Sequence, residues 1–212
     1  LIPSMLAKRG VKGELPLLAA AKKLQNEIVS PTRLAQPKQG PLGSQRSTSE
    51  MLKKVSLASL GLAMQTSGDK LAEQQEVLCF ISDMLMDTYA SETVVLRAAR
   101  ANTSGERTSE LQADAARVFV NAAATRVDVC ARATLAAMTE GVALRTNLAA
   151  VRQLLKLFPV NTVAIRRTLA DQAFQQADFK SYDFETLRRT MVAYLKENYP
   201  DDFNDFVESS EY

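Results

Sequence analysis

FISDMLMDTYASETVVLRAAR, residues 80–100, decides the fold. Its Asp-x-x-x-Asp-x-Tyr-Ala opening and Arg-x-x-Arg close are an unusually distinctive pattern for a helix. The stretch lies inside a helix expected from a cap at Asp69 to about Asn102, roughly 50 Å at about 1.5 Å per residue. Val77, Leu78, Ile81, Met84, Leu85, Thr88, Val95, Leu96 and Ala99 form its expected buried band. Glu73, Glu76, Asp83 and Asp87 cluster on the far side. A turn around Ser104 and Gly105 leads to a second long helix that stops at Gly141. Its expected face is Leu111, Ala115, Val118, Ala122, Val129, Ala133 and Ala136. Two rods joined by a tight turn make an antiparallel hairpin, and the alanines let the backbones approach to the short end of the usual 8–10 Å separation.

Working back from the hairpin, Ser47 and Glu50 match an S-x-x-E capping box, so a helix is expected to begin there. Met51, Leu52, Val55, Ala58 and Leu62 make one apolar stripe of this helix, and Leu57, Leu60 and Met64 a second. It should therefore pack on more than one side. Gly61 costs about 1 kcal/mol relative to Ala, which makes sense if another helix approaches closely at that point. Ser67 and Gly68 end it. Upstream, residues 30–45 read SPTRLAQPKQGPLGSQ, with three prolines, two glycines and no period, and so form a linker or extended loop. Before that, Pro16 opens a helix expected from about Glu14 to Val29, with Leu17, Leu24 and Ile28 on its apolar face.

Beyond the hairpin, Leu144, Leu148, Val151, Leu155 and Phe158 mark another helix closed by Pro159. Asn161 is positioned to cap one more through about Gln176, and Asp183 a last one that ends before Pro200. The chain is therefore expected to be all-α. Its architecture is an up-and-down helical bundle with two long antiparallel helices and an N-terminal helix-plus-linker segment.

The 212 residues are 46% hydrophobic, enough for a core that needs no metal or disulfide staple. Histidine is absent, which removes the usual general base, the triad imidazole and the commonest metal ligand. Cys79 and Cys130 lack C-x-x-C spacing and read as small buried apolar side chains in a reducing compartment. No apolar run reaches the roughly 20 residues needed to span a bilayer. There is no G-x-G-x-x-G or G-x-x-x-x-G-K phosphate cradle, and a net charge of +2 with 6% aromatics argues against nucleic acid.

Charge is unevenly distributed. From Lys8 to Lys54 the bases Lys8, Arg9, Lys12, Lys22, Lys23, Arg33, Lys38, Arg46, Lys53 and Lys54 face only Glu14, Glu27 and Glu50. This basic quarter reads as a solvated face, or functionally as a surface for anionic lipid. From Asn198 to Tyr212 five acids alternate with Tyr199, Phe203, Phe206 and Tyr212. That tail reads as a solvated terminus, with a basic partner surface as its functional reading. Glu92 projects near the middle of the apolar band and should have a partner; it reads as one side of an ion pair or a solvated seam, or functionally as an acid with a raised pKa. Arg126 lies close to the apolar face of the next helix, but reflection through the turn places it away from residue 92.

Asp83, Asp87, Tyr89, Ala90, Arg97 and Arg100 of the opening stretch resemble the helical domain that very-long-chain acyl-CoA dehydrogenases and many bacterial relatives carry after their catalytic core. LIPSMLAKRGVKGELPLLAAAKKLQNEI, residues 1–28, is similar to the segment that follows the catalytic Glu-Gly-Thr-Asn motif in the bacterial branch. The resemblance implies residues 1–29 as the terminal helical segment of the dehydrogenase core, 30–46 as linker, 47–198 as C-terminal helical bundle and 199–212 as acidic tail. In that family the core binds FAD and acyl-CoA, a glutamate removes the α-proton of the thioester, and hydride passes from the β-carbon to the flavin.

Neither the glutamate motif nor the glycine-rich flavin motif is in this chain. No catalytic, cofactor-binding or metal residue is therefore assigned, and FAD is expected only in a longer parent protein of which this is an inactive fragment. The implied partners are the rest of the dehydrogenase core, a second copy in a homodimer, and an anionic membrane surface met by Lys22 to Arg46. The implied location is the bacterial cytoplasm, with peripheral membrane contact.

Overall fold

The computed structural model describes residues 2–29, 39–40, 42–155, 160–176 and 184–198. Among the described residues the regular structure is helical, with no strand. The helices are α1 (Ile2–Val11), α2 (Leu17–Val29), α3 (Gly43–Ser67), α4 (Gln75–Thr103), α5 (Ser109–Met138), α6 (Gly141–Leu154), α7 (Thr162–Gln176) and α8 (Phe184–Asn198). The chain divides into two units, Leu1–Arg166 and Arg167–Tyr212.

In the first unit α4 and α5 make the most extensive contact, as the hairpin requires, and α3 lies against both. Gly105 takes φ 65° in the turn between them, a left-handed value that glycine adopts without a Cβ penalty. At about 1.5 Å per residue, the 29 residues of α4 and the 30 of α5 run about 43 and 45 Å. Leu52, Val55 and Leu60 of α3 interlock with Ile81 and Met84 of α4 and with Ala124 and Val127 of α5, all at or near zero exposure. Val151 and Leu155 close this core from the α6 side. A second cluster toward the hairpin turn joins Leu42, Val95, Ala98, Ala116 and Val120.

The expectation that α3 packs on more than one side holds: it touches α1, α2, α4, α5 and α6. Gly61 faces α2, where a Cβ would come within 2.9 Å of the Ala21 Cβ, so the close approach inferred from that glycine is real. Asn161 caps α7, its Oδ1 accepting from the Ala164 N–H at 3.1 Å.

Several expectations need correction. α3 starts at Gly43, four residues before the expected capping box, so Ser47 and Glu50 are interior helical residues. The chain enters through Leu42, whose φ of 61° is left-handed and whose side chain is buried at 4% exposure. Burying an isobutyl group there, worth about 2 kcal/mol, offsets an unusual backbone conformation that costs on the order of 1–3 kcal/mol. Asp69 caps no α-helix: residues Gly68–Glu73 form a 3-10 turn and α4 begins at Gln75.

The expected face of α5 was also misplaced. The buried residues are Ala116, Val120, Ala123, Ala124, Val127, Ala131, Thr134 and Leu135, about one residue round the helix from the stripe chosen by pattern. Ala115, Val129 and Ala136 of that stripe are exposed. On α4, Leu96 is 59% exposed, while Ser91 and Ala98 are fully buried. The expected roles of Phe158, Pro159, Asp183 and the acidic tail lie outside the described residues. Most of the connector between Ser30 and Gln45 does as well.

Candidate functional site

The hairpin has an outer side, and there α4 and α5 carry the most structured charged group of the bundle. Arg126 of α5 reaches across to Asp87 of α4 through two parallel bonds, Nε to Oδ2 at 2.9 Å and Nη2 to Oδ1 at 2.6 Å. Bidentate guanidinium–carboxylate pairing of this kind fixes geometry as well as charge. The hydrogen bond to Asp87 raises the Arg126 pKa above its ordinary value, and burial opposes it. The Phe119 ring lies below the guanidinium, 5.8 Å from ring centroid to carbon.

A shallow hollow of about 410 Å³ opens beside this pair. Asp83, Met86, Asp87, Thr125, Arg126, Val129 and Cys130 line it. Burial pushes the Cys130 thiol pKa up, the charges of Asp83 and Asp87 push it further, and Arg126 partly opposes them. That environment keeps the sulfur protonated and unreactive, since the thiolate is the nucleophile. Cys130 is half-buried, in keeping with the inert reading, whereas Cys79 is exposed and departs from it; both are free thiols.

Glu92 has its partner. It forms an ion pair with Lys53 of α3, and both side chains are about two-fifths exposed, so the carboxylate lies at the rim of the α3–α4 seam and not in the apolar band. Arg126 and Glu92 answer to different partners, as the reflection through the turn required. Ser56 and Thr88 form a small polar bridge inside the same seam, with Oγ to Oγ1 at 3.0 Å and Ser56 Oγ donating to the Met84 carbonyl. A second hollow of about 270 Å³ lies nearer the turn, lined by Leu42, Asn102, Ser109, Glu110, Ala113, Asp114 and Arg117.

None of these features suits a flavin dinucleotide. Around the larger hollow, the guanidinium that would meet a pyrophosphate is already taken by Asp87, and Asp83 adds a second carboxylate that repels phosphate. Around the smaller one, Glu110 and Asp114 do the same, with Arg117 held by Asp114 at 2.6 Å. No group of three or more His, Cys, Asp or Glu residues that could hold a metal occurs among the described residues. No helix among them is long and apolar enough to cross a membrane. The motif residues of the 80–100 stretch face mostly outward: Asp83, Tyr89, Arg97 and Arg100 are exposed, and Asp87 and Ala90 are half-buried. Their arrangement is that of a surface, with no reacting constellation.

The comparisons agree with this architecture. Residues 51–153 match the family model described as acyl-CoA dehydrogenase, C-terminal domain. A probable acyl-CoA dehydrogenase of Bacillus subtilis (strain 168) is 32% identical over 176 residues, covering 82% of this chain and 30% of that relative. An acyl-CoA dehydrogenase from Bacillus anthracis, crystallised in complex with FAD, superposes with a TM-score of 0.78 at 32% identity, again over 82% of this chain and 30% of the other. The chain thus spans about 30% of the length of the relatives it matches.

Proposed function

From a chain that is homologous to acyl-CoA dehydrogenases and carries their C-terminal helical domain, we propose an accessory role within such an enzyme. It is the C-terminal helical portion of an FAD-dependent dehydrogenase of the very-long-chain type, one that oxidises the α,β-bond of long acyl-CoA thioesters in fatty acid β-oxidation. Residues 1–29 end the catalytic core, 30–46 connect, and the bundle from residue 47 supports dimerisation or docking. The flavin and the catalytic base belong to polypeptide outside these residues. The observation that carries the reading is the 0.78 superposition on an FAD-bound dehydrogenase over four-fifths of this chain but under a third of that enzyme.

The test is to capture the native product from its own cells with an antibody against this chain. The captured protein should be yellow with bound flavin and reduce an electron-acceptor dye faster with long than with short acyl-CoA. A colourless product consisting only of these 212 residues would instead establish a stand-alone helical interaction module.

A subordinate part of the proposal concerns lipid. Lys22, Lys23 and Arg46 are exposed at the two ends of the basic connector, where they are free to meet an anionic surface of a bacterial cytoplasmic membrane.

A further inference from the structure

The apolar interior of the first unit is in two pieces. The larger cluster draws on Ala7 of α1 and Val151 of α6 as well as on α3, α4 and α5, whereas the smaller one, at the hairpin tip, holds only Leu42, Val95, Ala98, Ala116 and Val120. What lies between them is polar or small. On α4 the buried positions between Met84 and Val95 are Thr88 and Ser91, and on α3 those between Leu42 and Leu52 are Gly43 and Ser49. On α5, Val120 is followed by Ala123 and Ala124. Ser91 is fully buried and its hydroxyl has no hydrogen-bond partner among the described residues, while Ser49 donates back to the Gln45 carbonyl of its own helix at 3.0 Å. Among the described residues, then, neither serine ties one helix to another. The Lys53–Glu92 pair crosses the seam at this level, but at the half-exposed rim, where water screens it.

Parting the two clusters at such a hydroxyl belt exposes little apolar surface and returns an unpaired polar group to water, so the belt is a plane of weak cooperativity. We infer that the tip of the bundle opens as a unit of its own while the larger core stays closed, and that Leu42 is the catch that holds it shut. The moving part is the first two turns of α3 with α4 from Thr93 onward and α5 as far as Val120. Leu42 is the large side chain that the start of α3 sends into the tip cluster. Its φ of 61° lies in a region that a side chain of this size rarely adopts, so release loses burial but relieves strain. Once it lets go, residues 43–50, about 12 Å long as helix, can extend to roughly 27 Å. The approach to the bundle lengthens while the bundle itself survives. None of this depends on the proposed catalytic parent.

The test is amide hydrogen exchange of the 212-residue chain, read by mass spectrometry under conditions where reclosing outpaces exchange. Interior amides of the tip, in residues 94–99 and 116–120, should share one rate with those of residues 47–50. That rate should be at least about tenfold faster than in residues 60–63, 81–85 and 127–131, and it should respond less to urea, because the smaller opening exposes less surface. Two variants separate the units. Ile81→Val weakens only the larger core, so the amides there should exchange about fivefold faster while the tip keeps its rate. Leu42→Ala should speed the tip at least about tenfold. One common rate at both ends, an Ile81→Val variant that speeds the tip as much as the core, or a tip indifferent to Leu42→Ala would each overturn the inference.

Discussion

α4 and α5 are two halves of one hairpin, nearly equal in length and packed along each other, yet their inner faces are built differently. α4 buries Val77, Ile81, Met84 and Val95 together with Thr88, Ser91, Ala98 and Ala101, while α5 buries Val120, Val127 and Leu135 together with Ala116, Ala123, Ala124, Ala131 and Thr134, so that half of its inner face is alanine. Ile81 and Met84 of α4, both fully buried, share one core cluster with Ala123, Ala124 and Ala131 of α5. Small residues let the backbones approach closely, so loss of volume is felt most at Met84 and gain of volume most at Ala123.

Three substitution pairs sharpen or break that contrast. Met84→Ala should destabilise the fold by about 2–5 kcal/mol through lost burial and a residual cavity, whereas Val129→Ala on the outer face should stay within about 0.5 kcal/mol. Urea denaturation of each variant checks this, and similar midpoints for the two would show that the inner face has been misassigned.

Adding volume contrasts the inner and outer faces of α5. Ala123→Leu should cost about 1–3 kcal/mol by overpacking the seam, while Ala136→Leu, exposed on the same helix, should leave the thermal midpoint almost unchanged. If Ala136→Leu proved the more damaging, the face originally expected from pattern would be the buried one.

The smallest effect has the opposite sign. The Thr134 hydroxyl is fully buried with no hydrogen-bond partner among the described residues, so Thr134→Val should raise stability by about 1 kcal/mol. Thr88→Val should lower it, because it removes a partner from Ser56. Equal shifts in the two denaturation curves would mean that the hydroxyls are in equivalent surroundings.

The same contrast explains what could be read in advance. α4 was legible for the most part because Ile81, Met84 and Val95 are large and recur at helical spacing, with Leu96, 59% exposed, as the exception. α5 was not, since alanine is as acceptable in water as in a core and supplies helix propensity on every side. Its outer stripe carries Val129 at 61% exposure, enough to tip a pattern count toward the wrong face. The close approach at Gly61 and the Asn161 cap were readable from single residues because each has a local physical cause. The capping box at Ser47 failed for a tertiary reason: Leu42 is held in the second core cluster, and that anchor starts α3 a turn early. The Asp87–Arg126 clamp needed the register between two helices, which no pattern within one helix contains.

Leu42 has a mechanical consequence. Its side chain is wedged among Val95, Ala98, Ala116 and Val120, while its backbone is bent into the left-handed region immediately before α3. Tension arriving along the preceding chain would have to extract this plug before it could unwind the helix. The load would therefore be shared with the hairpin instead of being borne by one frayed end. The bundle is fastened at its entrance like a cleated rope, and a pull that loosened it would be felt first near the tip of the two rods.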